Sequence, residues 1–358
     1  MTQVTVRRQR LTDTRDMGSQ MVSRRRLIQG SMGLAGLALV SGCGLQTPSV
    51  FSRRVSRKVP RIGYLAPAPL EEPLVASLIR EFETGLRDLG YVSGDTIDIQ
   101  YRSVVGAPEE AAQVAQEMAS LPVDAIVATG GATLVAARQA PQSIPVIVAA
   151  SGDVVKTGLV QSLARPGGNI TGLTSMATNL AAKRIQLLAE AVPGLSRVST
   201  IWNPAEPVNV PELEESRVGA GRLNLELQSI EVAGVDALPD AFAAAHGPQS
   251  ALILFAHVFV TYNRSRFIEQ AGQFRVPTMY GLAPFVREGG LMSYGPDLRI
   301  LYRRAASYVD KILKGAHPAE LPIEQPTELE LVVNLRTAQS LGLTIPQSVL
   351  QQATEIIQ

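Results

Sequence analysis

Strand-length apolar runs alternate with amphipathic segments along most of the chain, and this alternation constrains the fold more than any other feature. The periodicity predicts strands over 61–65, 97–101, 124–128, 145–149, 198–202, 227–232, 251–255 and 276–280. It predicts helices over 73–89, 108–120, 132–140, 179–192, 210–223, 236–245, 261–273 and 298–315. Alternating strands and helices form parallel sheets with right-handed crossovers. The sequence therefore predicts an α/β fold with doubly wound, Rossmann-like sheets.

The chain is long enough for two lobes. It has 358 residues, which exceeds what one hydrophobic core usually organises. Three further apolar runs, 170–174, 289–295 and 328–333, are predicted to be strands that cross between the lobes. We predict lobe 1 over 61–170 plus 296–330 and lobe 2 over 171–295 plus 331–358, joined by about three crossing strands. A cleft between two hinged lobes is a preferred ligand site.

The first 42 residues have the pattern of an export signal. Arg24, Arg25 and Arg26 precede an uncharged, largely apolar run over 30–39. A basic region, a short apolar region and small residues before a cleavage point are typical of such signals. The paired arginines favour a twin-arginine export address, and the general secretory route stays open, as do later start sites. The apolar run is shorter than the roughly 20 residues that span a bilayer.

The only cysteine of the chain, Cys43, follows small residues directly after this signal. The run 40–43 resembles the lipobox of bacterial lipoproteins. That resemblance implies that the Cys43 thiol is joined to diacylglycerol and that residues 43–60 are a tether to the folded part. The mature protein would then be held by its lipid in the periplasm or at the outer face of the cell membrane.

Composition excludes several functions. Removal of residues 1–42 leaves 26 basic and 30 acidic residues, a formal net charge of −4. Without a basic excess, nucleic acid is not an expected partner. A single cysteine cannot form an internal disulfide, and the three histidines lack metal-ligand spacing, so no metal or cofactor is expected. No nucleophile elbow, P-loop or zinc-protease motif occurs, and no enzymatic activity is predicted.

Several runs together resemble the substrate-binding protein family of ABC importers, whose characterised members bind tryptophan, tyrosine or related molecules on a type I periplasmic-binding-protein fold. The runs are 152–153, 157–160, 162–172, 203–204, 290–295, 302–306, 321–322, 324–327, 331–335 and 341–346. The resemblance implies solute capture for an ABC permease and its ATPase, and it leaves the solute open. At 154 this chain has valine where the family usually has proline, which loosens the turn after Asp153.

Candidate ligand-binding residues follow the predicted strands, because ligands bind at the C-terminal ends of parallel strands. The run Gly130, Gly131, Ala132 and Thr133 leads into a helix whose N-terminus would attract a carboxylate. A tight turn with a helix cap is the alternative. After the next strand, in the run Ser151, Gly152 and Asp153, the Asp153 carboxylate either pairs with a ligand ammonium or caps a helix.

Further candidates lie at later strand ends. Asn203 binds a ligand polar group or caps a turn, and His257 faces the cleft or is a structural histidine. The aromatic residues at strand ends, with the neighbouring Gly281, would stack on a ligand ring or line the hinge core. These are Tyr64, Tyr280 and Tyr294. The acidic residues of 212–215 are interpreted as a solvated helix face.

The sequence thus favours an extracytoplasmic solute-binding protein that closes two lobes over a small molecule, an amino acid or a related and possibly aromatic compound. One alternative is a ligand-sensing module that signals to a membrane partner. A secreted α/β enzyme is a second alternative, which would need a catalytic constellation that the sequence does not display.

Overall fold

The computed structural model describes residues 59–104, 113–204 and 209–358, apart from residues 115 and 119. The predicted export signal, Cys43 and nearly all of the tether lie outside the described residues, as does much of the predicted helix 108–120. In the part of the chain that is described, no helix is long and apolar enough to cross a membrane.

The first sheet has five parallel strands in the order β2-β1-β3-β4-β5. These are β1 (Arg61–Ala66), β2 (Asp98–Ser103), β3 (Ala125–Ala128), β4 (Val146–Val148) and β5 (Ile170–Gly172). The helices packed with it include α1 (Pro73–Asp88), α2 (Ala132–Arg138) and, from much later in the chain, α9 (Leu298–Leu313). Helices α1 and α9 pack so closely that a Cβ on Gly85 would collide with the Arg303 carbonyl.

The second sheet has seven strands in the order β12-β11-β10-β9-β8-β6-β7. These are β6 (Arg197–Trp202), β7 (Glu226–Glu231), β8 (Ser250–Leu254), β9 (Thr278–Tyr280), β10 (Met292–Gly295), β11 (Glu330–Asn334) and β12 (Glu355–Ile357). The β10–β11 pair is antiparallel and the other pairs are parallel. The helices are α3 (Ala177–Ala191), α4 (Val210–Arg222), α5 (Leu238–Ala245), α6 (Val258–Tyr262), α7 (Arg264–Gln273), α8 (Ala283–Arg287), α10 (Leu335–Ser340) and α11 (Gln347–Leu350).

Buried apolar side chains form two clusters around each sheet. Each sheet with the helices packed on it is called one half of the molecule below. In β8, for example, all five residues are buried. Parallel strands covered on both faces are expected to be continuously apolar in this way. The predicted α/β fold with two doubly wound sheets is therefore confirmed. The lobe boundaries given above stay a prediction.

Within the described residues the chain passes between the sheets three times. The predicted crossing strands correspond to β5, β10 and β11, and each pairs within one sheet. The passages themselves are short segments beside these strands. At one of them, Leu173 pairs with Glu324, so two passages lie side by side. Gly172 has φ +128°, and a Cβ there would collide with the Val148 carbonyl, so this passage requires glycine.

The helix predicted over 261–273 is instead two helices, α6 and α7, separated at Asn263. The Asn263 Nδ2 atom donates to the Phe259 carbonyl at 2.7 Å, and such a local side-chain bond competes with helix continuation. Helices α8, α10 and α11 and strand β12 were not predicted. Each is only three to six residues long, too short for a periodicity to show.

Candidate functional site

A cavity of about 100 Å³ lies where strand ends of the two sheets come together. Both sheets contribute, because loops after β3, β4, β8 and β9 reach it together with the first turns of α3 and α4. The residues that line the cavity include Leu74, Leu78, Gly130, Gly131, Ser151, Gly152, Ser175, Ala177, Thr178, Arg184, Asn209, Glu212, His257, Val258, Tyr262, Gly281, Leu282, Leu298 and Tyr302.

On the side of the first sheet, the wall is backbone from the β3–α2 turn. Gly131 has φ +57° and precedes α2. A Cβ built on it would lie 2.7 Å from Val258 Cγ2, which belongs to the other half of the site. The absence of a side chain at Gly131 therefore allows the two halves to approach this closely.

On the side of the second sheet, a buried ion pair faces the cavity. The Arg184 Nη1 atom donates to Glu212 Oε1 at 2.6 Å, and the two side chains are 1% and 5% exposed. Arg184 also donates from Nε to the Tyr294 carbonyl at 2.7 Å and from Nη1 to the Ala177 carbonyl at 3.3 Å. The pair thus joins α3 and α4 to the end of β10.

Burial sets the protonation behaviour of this pair. Desolvation raises the pKa of Glu212, while the charge of Arg184 opposes that increase. Desolvation lowers the pKa of Arg184, and Glu212 opposes that decrease. At 2.6 Å the two charges stabilise each other, so both groups are ionised at neutral pH.

Asn209, directly before α4, is 4% exposed and lines the cavity. Its Nδ2 atom has no hydrogen-bond partner among the described residues. Buried polar atoms in folded proteins are nearly always hydrogen-bonded. A donor left open beside a cavity therefore points to a group that binds there.

The rest of the wall is formed partly by a segment that connects the two sheets and partly by apolar side chains. The Ser151 carbonyl accepts from the Ser175 N–H at 2.6 Å and from the Ser175 hydroxyl at 2.8 Å, so the β4 loop is held to the segment that leaves the first sheet. The apolar part is formed by aliphatic and aromatic side chains from α1, α6 and α9 and from the loop after β9. These are Leu74, Leu78, Tyr262, Leu282, Leu298 and Tyr302.

Two ion pairs connect the two halves away from the cavity wall. Arg264 Nη1 at the start of α7 lies 2.9 Å from Glu72 Oε1 at the N-cap of α1, and both side chains are largely buried. Lys156 Nζ lies 2.7 Å from Glu215 Oε1 of α4, and both are exposed. Arg264 also pairs with Glu288 of its own half at 2.7 Å.

Six of the predicted ligand-binding residues line the cavity. They are Gly130, Gly131, Ser151, Gly152, His257 and Gly281. The others do not line it, namely Tyr64, Ala132, Thr133, Asp153, Asn203, Tyr280 and Tyr294. For all of them a role in ligand binding stays a prediction.

The residues outside the cavity wall have visible structural surroundings. Tyr64 is buried, with its ring 5.3 Å from those of Phe82 and Tyr101. Asp153 Oδ1 accepts from the Val155 and Lys156 N–H groups at 3.1 and 2.9 Å. Residues 154–158 form a turn, and no helix follows in the described stretch before α3, so this contact caps a turn and not the helix given above as an alternative.

Thr133, Tyr280 and Asn203 also lie outside the cavity wall. Thr133 is buried and donates its hydroxyl to the Gly130 carbonyl at 2.7 Å, so it stabilises the turn. The Tyr280 ring is buried and stacks on Phe285 at 4.8 Å. Asn203 directly follows β6.

Sequence reasoning missed the polar residues of the second wall, Arg184, Asn209 and Glu212. The interpretation of 212–215 as a solvated face is wrong at Glu212, which is 4% exposed. A signal was present in α3, where Arg184 shares the apolar helical stripe of Ala181 and Leu188. A charged residue on such a stripe is rarely buried unless it is paired, so it indicates a buried partner.

Comparisons with known proteins agree with this geometry. A sequence model of the family described as "ABC transporter substrate binding protein" matches residues 67–357. The tyrosine-binding protein of Clostridioides difficile strain R20291 is 23% identical over 315 residues, covering 87% of this chain and 90% of that protein.

Solved structures show the same fold. An ABC domain from Streptococcus pneumonia in complex with L-Trp has a TM-score of 0.77 at 23% identity, covering 83% of this chain and 99% of that one. A conserved domain protein from Vibrio cholerae O1 biovar El Tor has a TM-score of 0.76 at 26% identity, covering 84% and 100%. The architecture is therefore that of type I periplasmic binding proteins.

Proposed function

The chain belongs to the family of ABC transporter substrate-binding proteins, and from this premise we propose that it is the extracytoplasmic solute-binding component of an ABC importer. The family consists of solute-binding proteins and not of enzymes. The observation that carries the proposal is the cavity between the two sheets, which has both a charged wall and an apolar wall. A permease with its ATPase would be the partner that receives the solute.

The proposed solute is an amino acid or a related small molecule, and aromatic amino acids are included in this class. Two relatives support this class, since one is named a tyrosine-binding protein and another was solved with L-Trp. The apolar wall in this chain offers Leu78, Leu298 and Tyr302 to a hydrophobic side chain. The polar wall offers charged groups to its other end.

Capture would involve closure of the two halves about the connecting segments. A ligand that contacts both walls binds the closed form more tightly than the open form, so it shifts the equilibrium toward closure. The tight approach of Gly131 to Val258 and the Glu72–Arg264 pair would form only in the closed form. The permease would then distinguish loaded from empty protein by this shape.

A lipid on Cys43 is proposed as the membrane anchor. In cells fed a clickable fatty acid, the wild-type chain should be labelled and should sediment with membranes, whereas Cys43→Ser should be unlabelled. A Ser41→Ala variant keeps the thiol and a small residue before it, and is the control. Equal labelling of Cys43→Ser would exclude acylation at this site.

The solute-binding role is tested by thermal unfolding of the purified full-length chain with amino acids, short peptides, nucleosides, sugars and aromatic acids. A ligand at 100 times its Kd stabilises the folded state by about 2.7 kcal/mol, which raises Tm by several degrees. A clear shift without product formation supports the proposal. Conversion of any compound into product would contradict it, and so would the absence of a shift across the whole panel.

A further inference from the structure

The charged wall of the cavity holds one group of each sign. Among the described residues that line it, Arg184 is the strongly basic one and Glu212 is the acidic one. They lie 2.6 Å apart and are almost fully buried. Since their charges cancel, this wall carries no net charge. A ligand with net charge would be buried there without a counter-charge, which is costly in a desolvated site.

The pair has hydrogen-bonding capacity left over. Glu212 Oε1 accepts from Arg184, and no described residue donates to Glu212 Oε2. On Arg184, Nε and Nη1 donate to Tyr294, Ala177 and Glu212, while Nη2 has no acceptor among the described residues. Among the described contacts, Glu212 Oε2 and Arg184 Nη2 are therefore the atoms of this pair that are left for a ligand.

Asn209 adds a neutral donor to the same corner. It precedes α4 by one residue, and Glu212 lies in the first turn of that helix. Its buried Nδ2 atom has no partner among the described residues and can only donate. An incoming acceptor would satisfy both this N–H and Arg184 Nη2, while an incoming donor cation would satisfy Glu212.

We propose that Arg184, Asn209 and Glu212 form the head-group subsite for a zwitterion. Arg184 and Asn209 donate to the α-carboxylate of an amino acid, and Glu212 accepts from its α-ammonium. The apolar wall then receives a side chain without net charge. The inference rests on the proposed solute-binding function and assigns the residues that recognise the solute.

The wild-type test compares probes that differ in charge, by isothermal titration of the full-length chain. The zwitterions with uncharged side chains are L-tryptophan, L-tyrosine, L-leucine and L-alanine. Tryptamine and tyramine lack the carboxylate, and the indole and hydroxyphenyl propionates lack the ammonium. L-lysine and L-glutamate carry net charge. We expect the tightest probe to be an uncharged-side-chain zwitterion, and its single-charge analogues to bind at least about 100-fold more weakly.

The variant test changes the sign of the wall. Glu212→Gln preserves size and the acceptor toward Arg184 and removes the negative charge. It should lower zwitterion affinity at least about tenfold and should raise the relative affinity for the propionates. Glu214→Gln, an exposed acid of the same helix paired with Arg217, is the matched control and should change neither. Asn209→Ala should weaken zwitterions and propionates and leave the amines unchanged.

The outcomes separate the two proposals. If a single-charge analogue, a net-charged amino acid or an uncharged sugar binds as tightly as the best zwitterion, the head-group assignment is wrong while the solute-binding role stands. If none of these probes binds, the head-group assignment is contradicted, and the wider thermal-unfolding panel decides the solute-binding role. Circular dichroism and ligand-free Tm establish whether each variant is folded, and the wild-type comparison decides the question even if Glu212→Gln does not fold.

Discussion

At the scale of single residues, the proposed closure and the proposed charge selectivity of the site depend on a few positions. Gly131 is one of them, because it meets Val258 with no space for a side chain. Glu212 is another, because it is an ionisable group buried at the cavity wall with a raised pKa. Each gives a prediction about binding that is separable from folding.

Gly131→Ala should hold the cavity open. The new methyl would lie 2.7 Å from Val258 Cγ2, so closure would have to displace a buried contact, and we expect ligand affinity to fall by about tenfold or more. Titration with the tightest amino acid measures this. Gly158→Ala is the control, because Gly158 also has positive φ and its Cβ would meet nothing within 4 Å. Equal losses in both variants would indicate backbone strain and not blocked closure.

Ligand affinity should depend on pH through Glu212. An α-ammonium requires the ionised carboxylate, so affinity should be full above the pKa of Glu212 and should fall as pH drops through it. Burial raises that pKa, so the fall should begin above the value of about 4.3 expected for an ordinary glutamate. Titrations of wild type and Glu212→Gln across this range test it. An acid-dependent loss of the same size in the variant would place the titrating group elsewhere.

At the scale of elements, the Arg184–Glu212 pair joins three of them. Arg184 belongs to α3, Glu212 to α4, and the Tyr294 carbonyl to β10. These contacts replace water around a guanidinium that is 1% exposed. Helices α3 and α4 are thus oriented by a polar contact in a mostly apolar interface.

Removal of one partner should destabilise these elements strongly. Glu212→Ala leaves the Arg184 charge buried without its counter-charge, which should lower the free energy of unfolding by about 3–5 kcal/mol. The double variant Arg184→Met, Glu212→Leu should recover much of this loss, because no charge is then buried. Urea unfolding measures both. Arg217→Ala, in an exposed pair on the same helix, should cost at most about 1 kcal/mol. A single-variant loss no larger than that of Arg217→Ala would contradict the prediction.

At the scale of the whole molecule, the proposed closure would depend on the contacts between the two halves. The Glu72–Arg264 pair is largely buried, whereas Lys156–Glu215 is exposed. An exposed ion pair contributes little to stability. We therefore assign most of the electrostatic stabilisation of the proposed closed form to the Glu72–Arg264 pair. The ligand then needs to supply only the remaining free energy of closure.

Arg264→Met should shift the protein toward the open form and lower ligand affinity by about tenfold, equivalent to about 1.4 kcal/mol. Small-angle scattering without ligand should show a larger radius of gyration. Glu288→Gln removes the partner of Arg264 within its own half and keeps the Glu72 contact, so it should bind ligand nearly as wild type does. If the two variants lose affinity equally, the effect comes from local packing around Arg264.

The sequence by itself determined the order and type of the long elements. Apolar periodicity is a local property, so α1, α3, α9 and every strand of the two sheets except β12 could be predicted to within a few residues. It also placed glycines such as Gly130 and Gly131 at strand ends that line the cavity.

Only the tertiary structure decided which polar side chains face that cavity. Arg184, Asn209 and Glu212 lie on two helices and a loop. Their burial and pairing depend on contacts between residues 28 and 110 positions apart. Local pattern cannot report such contacts, because a glutamate in a helix has the same periodicity whether it faces water or a buried arginine. The fold was therefore predictable from sequence, whereas the charges of the site emerged from packing.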